Sequence, residues 1–127
     1  MAWCFKSEQS TYTEAVLDRL ATESAIVPAI WPLEVVNVLL VAERRKVLSS
    51  ASAEAFLETL SELPIAISWF NWPNGAEILL LRGRSTGLTA YDAAYLELAV
   101  RLGYPLATRD RKLQAAAEQL GVALVES

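Results

Sequence analysis

Short, almost wholly apolar segments alternate with longer helix-patterned ones along this chain, and that alternation restricts the fold more than any other feature. Strands that read as continuous apolar runs are buried on both faces, an environment that a parallel sheet with helices on either side provides. Residues 25–29, 65–68, 105–108 and 122–125 are the strand segments. The helical segments between them carry their own start and stop signals. Thr11 and Glu14 have capping-box spacing and open a helix to about residue 21, with Ala15, Val16, Leu17 and Leu20 as its apolar face. Trp31-Pro32 opens the next, because proline is tolerated in a first turn, and Val35, Val38, Leu39 and Ala42 carry it to Arg44. Ser52 caps a helix containing Phe56, Leu57 and Leu60 that closes before Pro64. Residues 69–75 read as a loop and 76–84 as a short helix ending in the glycine-rich region 83–87. Thr89 caps the clearest helix, 90–102, which stops at Gly103 with Pro105 beyond, and Asp110 opens a last one that Gly121 ends.

At 127 residues the chain reads as one domain, 1–127. Its 54% hydrophobic content and mean hydropathy of +0.29 exceed what a small domain hides, so a buried interface with a second chain, a homodimer, is expected. The richest apolar stretch, 35–42, is too short to span a membrane and contains Asn37. Lys6 and Glu8 follow the first residues too closely for a signal peptide, and Cys4 is the only cysteine, so a cytoplasmic setting is expected. The net charge of −4 argues against binding nucleic acid by bulk electrostatics. Local basic groups remain: Arg44, Arg45 and Lys46, then Arg82 and Arg84, then Arg109, Arg111 and Lys112. The first two sets complement helix C-termini. The third lies at a helix start, where that explanation fails.

Glu34, Asp92 and Asp110 each lie where a helix-patterned segment begins. In a parallel sheet the helix starts that follow strands line up along one edge, so acids distant in sequence can share a crevice there. Each acid also has a structural role available, in a first turn, a capping box or an N-cap. Together they point to a hard cation. The chain has no histidine and one cysteine, which excludes Ser-His-Asp triads, Cys-His nucleophiles and ordinary zinc sites. Carboxylate oxygens suit Mg2+ or Mn2+, and metal-activated water is the hydrolytic chemistry such a set can run. Asn37, three residues after Glu34, could orient that carboxylate or a metal-bound water, or equally bond to backbone, and Thr108 could bond a metal-site carboxylate.

The segments VPAIWPLEVVNVL (27–39), LTAYDAAYLELA (88–99) and PLATRD (105–110) resemble the acidic motifs of PIN-domain proteins, most closely those of VapC-type toxins. The resemblance spans nearly the whole chain. It implies a three-layer α/β fold with a short parallel sheet flanked by helices. It further implies a Mg2+- or Mn2+-dependent endoribonuclease, usually dimeric and inhibited by a small antitoxin. In the family's pattern Asp92 would be a direct metal ligand, with Glu34 and Asp110 completing the site directly or through water. Family members begin with a strand bearing an aspartate, followed by a segment similar to Ala2-Trp3-Cys4-Phe5. The sheet is therefore expected to lack its first, central strand and that strand's acid.

Two functions follow: a metal-dependent ribonuclease, or a catalytically degenerate PIN module that dimerises and binds an antitoxin-like partner. A phosphate-accepting receiver domain is disfavoured, since no lysine ends a predicted strand. Trp69, Phe70 and Trp72 could stack bases or receive an antitoxin helix, but packing against the core or a twin subunit is the default expectation. Tyr91 and Tyr95 are read as core or dimer contacts, Glu97 as a solvated helix acid and Cys4 as a small buried hydrophobe.

Overall fold

The computed structural model of the 127-residue chain describes residues 18–125 in full and residues 2–5 by their backbone. The element order is β1 (Ala2–Phe5), β2 (Ser24–Pro28), α1 (Trp31–Arg44), α2 (Ser50–Ser61), β3 (Ile65–Ser68), α3 (Asn74–Thr86), α4 (Ala90–Leu102), β4 (Leu106–Ala107) and α5 (Arg111–Gln119). Most of the helix expected after Thr11 lies outside the described residues. Its end is present: Asp18 and Arg19 are helical and Leu20 is buried.

The four strands form one sheet in the order β3-β2-β1-β4, with every pair parallel. This is the α/β arrangement the apolar strand runs predict. The centre of the sheet differs from expectation. Ala2–Phe5 does not lie beyond a vacant slot but fills it, pairing Cys4 with Ile26 of β2 on one side and with Leu106 of β4 on the other. Backbone N–H and C=O groups in the middle of a sheet must be paired, and the strand meets that demand. The expected last strand, 122–125, is reduced to a parallel bridge between Leu106 and Leu124.

Local signals account for the helices. Thr89, in extended conformation, caps α4 by accepting from Asp92 N–H, and Gly103 ends the helix in the left-handed conformation that glycine adopts without strain. Helix α2 starts earlier than predicted: Ser49 is the N-cap, accepting from the Ser52 N–H, so Ser52 lies in the first turn. The core is built around α4, whose Ala93, Tyr95, Leu96, Leu98 and Ala99 are buried against Val27, Leu106, Leu113 and Ala117. Each large apolar side chain so buried contributes about 1.5–3 kcal/mol relative to exposure, which fixes α4 across the sheet.

Candidate functional site

In a parallel sheet each helix that follows a strand begins at the strands' carboxyl edge. Helix α1 begins three residues after β2 ends at Pro28, and α5 begins four residues after β4 ends at Ala107. Glu34, in the first turn of α1, and Asp110, the N-cap of α5, therefore occupy that edge.

Two side-chain bonds bring the start of α4 to the same place. The Tyr95 hydroxyl, on a fully buried ring, donates to Glu34 Oε1. The Lys112 ammonium, in the first turn of α5, donates to the Gly87 carbonyl just before α4, at 3.5 Å. Asp92 lies one turn before Tyr95, its N–H bonded to Thr89 Oγ1 at 3.2 Å. Glu34, Asp92 and Asp110 are all half-buried, so each keeps contact with solvent while its backbone is fixed.

Asp110 is held most firmly. Its Oδ1 accepts from the N–H groups of Lys112 (2.9 Å) and Leu113 (3.1 Å), and its own N–H donates to Thr108 Oγ1 at 3.1 Å. Thr108 is buried, and its carbonyl accepts from Gln114 Nε2 at 2.9 Å. The N-cap role is as the spacing suggests, and the Thr108 hydroxyl meets Asp110 at its backbone N–H.

Other expectations change. Asn37 is exposed on α1, and among the described residues its side chain makes no hydrogen bond to Glu34 or to backbone. Glu97 is not simply solvated: Arg82 reaches it from α3, with Nε and Nη2 both 3.0 Å from Oε2. Tyr95 is in the core, as expected, and Tyr91, four residues before it, is exposed on the single chain. Trp69, Phe70 and Trp72 do not pack into the core; Trp69 is 77% and Trp72 82% exposed. The side chain of Cys4 lies outside the described residues.

Tyr95 is not singled out by the sequence pattern as a partner of the acids. The available signal was its position three residues after Asp92, on the same face of α4. Among the described residues, no three carboxylate or thiol side chains gather into a group that could by itself hold a metal ion. The three acids share an edge without closing into a cage. Their all-oxygen chemistry nonetheless fits a hard cation, because Mg2+ is usually held by one or two carboxylates plus water and substrate phosphate.

The family profile described as PIN domain matches residues 2–119. Comparison with curated proteins gives no match. Among solved structures, the chain is similar to PAE2754 from Pyrobaculum aerophilum, with a TM-score of 0.67 and 21% identity over 91% of this chain and 79% of that one. It is also similar to FitAcB from Neisseria gonorrhoeae, with a TM-score of 0.60 and 18% identity over 99% and 97% of the two chains. A third likeness is to a PilT N-terminus domain protein, SSO1118, from Sulfolobus solfataricus P2, at a TM-score of 0.53 and 13% identity over 98% and 86%. At these identities the structural likeness speaks to the fold.

Proposed function

The chain belongs to the PIN-domain family, and on that premise we propose that it is an endoribonuclease that hydrolyses phosphodiester bonds with a divalent cation, Mg2+ or Mn2+, at the edge shared by Glu34, Asp92 and Asp110. The observation that supports this reading is the shared carboxyl edge of the sheet, where the Tyr95 bond to Glu34 and the Lys112 bond to Gly87 link α4 with the starts of α1 and α5. Asp92 would be a direct ligand, with Glu34 and Asp110 ligating directly or through water. When bound, such a cation offsets charge on the scissile phosphate and brings the pKa of its water toward ~7.

The chain's own groups prepare that chemistry. Tyr95 anchors the Glu34 carboxylate from a fully buried ring. The N–H groups of Lys112 and Leu113 fix Asp110, and Thr108 fixes its backbone. Arg109, Arg111 and Lys112 place positive charge beside the acids, where RNA phosphates would enter.

In the same reading the protein is a single PIN-like domain over 1–127, the cytoplasmic toxin half of a VapC-type type II toxin–antitoxin pair. It works as a homodimer and is inhibited by a small antitoxin. Among the described residues no helix is long and apolar enough to cross a membrane. Leu33, Val36 and Leu40 form an exposed apolar row on α1, a surface suited to a second chain.

A second reading, a non-catalytic PIN module that retains its partner surfaces, is favoured by one observation. The central strand Ala2–Phe5 carries no carboxylate. Incubation of the purified protein with labelled single-stranded RNA in Mg2+, and in a chelator, separates the two readings. Cleavage that requires the metal and is lost in Asp92→Asn supports the nuclease. Intact RNA under all conditions, with a folded protein, supports the module.

A further inference from the structure

We propose that the groove between the end of β3 and helices α3 and α4 is a subsite for one unpaired nucleotide of RNA, its base stacked on Trp69 and Phe70 and its phosphate held by Arg101. This inference rests on the RNA-directed reading above and adds to it the place where a base is gripped. The groove has a cavity volume of about 170 Å3, small beside the clefts of about 300–1,000 Å3 that enclose drug-sized ligands, so it takes a base and not a longer stretch of RNA. Pro28 and Ser68, the last residues of β2 and β3, line it, so it opens at the carboxyl edge that also carries Glu34.

Three kinds of group in the groove match a nucleotide. The first is aromatic: Trp69 and Phe70 line it and both are exposed, although burial of such rings is strongly favourable. Phe70 is nevertheless held in place. A side chain on Gly75 would meet the Phe70 Cβ and ring at 3.0 Å, so the ring lies directly on the start of α3. The second is amide: Asn71 and Asn74 line the groove and are exposed, and an asparagine amide offers the paired donor and acceptor that a base edge presents in return. The third is cationic. Arg101 donates to Ser68 Oγ at 3.3 Å and, among the described residues, pairs with no carboxylate. The one acid in the lining, Glu97, is already neutralised by Arg82. With Glu97 engaged by Arg82, Arg101 is the charge in the lining that no carboxylate offsets directly, which favours a phosphate-bearing occupant over an acidic peptide.

Binding of fluorescein-labelled single-stranded RNA, followed by anisotropy in a chelating buffer, tests this without reliance on cleavage. Base stacking contributes about 1–3 kcal/mol, so Trp69→Ala should raise Kd roughly 5- to 150-fold, with Trp69→Phe retaining most of the affinity. Arg101→Gln should weaken binding and flatten its salt dependence. Trp72→Ala is the control: Trp72 is equally exposed but does not line the groove, and its loss should leave Kd unchanged. Wild-type affinity in Trp69→Ala would overturn the subsite, and so would equal losses in Trp69→Ala and Trp72→Ala. An amphipathic helical peptide that binds the wild type in a Trp69-dependent way, with no RNA binding, would also overturn it. Failure of the nuclease reading shows separately, as intact RNA in Mg2+ with binding still sensitive to Trp69.

Discussion

The Tyr95 hydroxyl donates to the Glu34 carboxylate across 61 positions of sequence, joining the core helix of the domain to the first acid of the candidate site. A fully buried tyrosine needs a partner for its hydroxyl, and a half-buried carboxylate needs something to fix its orientation. One bond does both. It couples stability of the fold to geometry of the site.

Tyr95→Phe should therefore lower both. The ring is kept and the charge-assisted bond to Glu34 is removed, which costs about 1.5–3 kcal/mol. Urea unfolding should show a lower midpoint with an unchanged slope, and RNA cleavage should slow. An unchanged midpoint would mean that the bond contributes nothing to the folded state.

Asp110 carries two roles that substitution can separate. Asp110→Ala removes the acceptor for two backbone N–H groups and should cost about 0.5–2 kcal/mol. Asp110→Asn keeps a capping oxygen and removes the charge. The asparagine variant should melt within a few degrees of wild type and still lose most of the metal-dependent cleavage. If it cleaves RNA normally, Asp110 is a helix cap only.

Much of this was legible from the sequence because local rules set it. Helix α4 runs from Thr89 to Gly103 as the cap and stop residues dictate, and Asp110 caps α5 as its position suggests. The bounds of α1 follow from Trp31-Pro32 and Arg44 in the same way. What escaped depended on contacts between distant segments. Nothing near Glu97 in sequence announces Arg82 as its partner, since that pair forms only when α3 lies against α4. Asn37 was a candidate by spacing, but helix periodicity locates a face without saying whether anything stands opposite it. The default expectation for Trp69, Phe70 and Trp72 is packing against the core or a twin subunit, and composition does not say that all three stay exposed on the single chain. The exchange of a vacant sheet centre for Ala2–Phe5 is a matter of pairing, decided by backbone groups that no side-chain pattern reveals.

Asp92→Asn tests the cation without a turnover assay. A ligand that binds only the folded state stabilises it by RT ln(1 + [L]/Kd), about 2.7 kcal/mol at a hundredfold excess over Kd. Raising Mn2+ or Mg2+ to millimolar concentration should lift the melting temperature of the wild type and leave that of Asp92→Asn unmoved. Equal shifts in both would place the cation elsewhere.

The apolar row on α1 predicts association. Leu33 is 67% exposed, and Val36 and Leu40 continue its face at helical spacing. Light scattering at micromolar concentration should give about twice the 13.9 kDa chain mass, and Val36→Glu should reduce it to the monomer. A wild-type monomer would contradict the homodimer, and a dimer unaffected by Val36→Glu would move its interface to another face.

The central strand makes the sharpest structural prediction, because it is the point where the fold departs from the expected vacancy. Cys4 is in register with Ile26 on one side and Leu106 on the other, so the backbone around it serves two neighbours at once. Proline lacks an N–H and is tolerated at sheet edges but not at centres. Cys4→Pro should therefore remove one ladder bond and crowd the adjacent strand, leaving at least one buried carbonyl without its donor. An unpaired buried group costs roughly 1–3 kcal/mol, and a domain of this size has only about 5–15 kcal/mol in all. Cys4→Ser, which keeps the N–H, is the control and should leave the backbone ladder intact. Hydrogen exchange reads the outcome directly. In Cys4→Pro the amides of β2 and β4 should exchange far faster than in Cys4→Ser. Equal protection in the two variants would mean that Ala2–Phe5 does not hold the sheet together, and that β2 and β4 draw their partners from another segment.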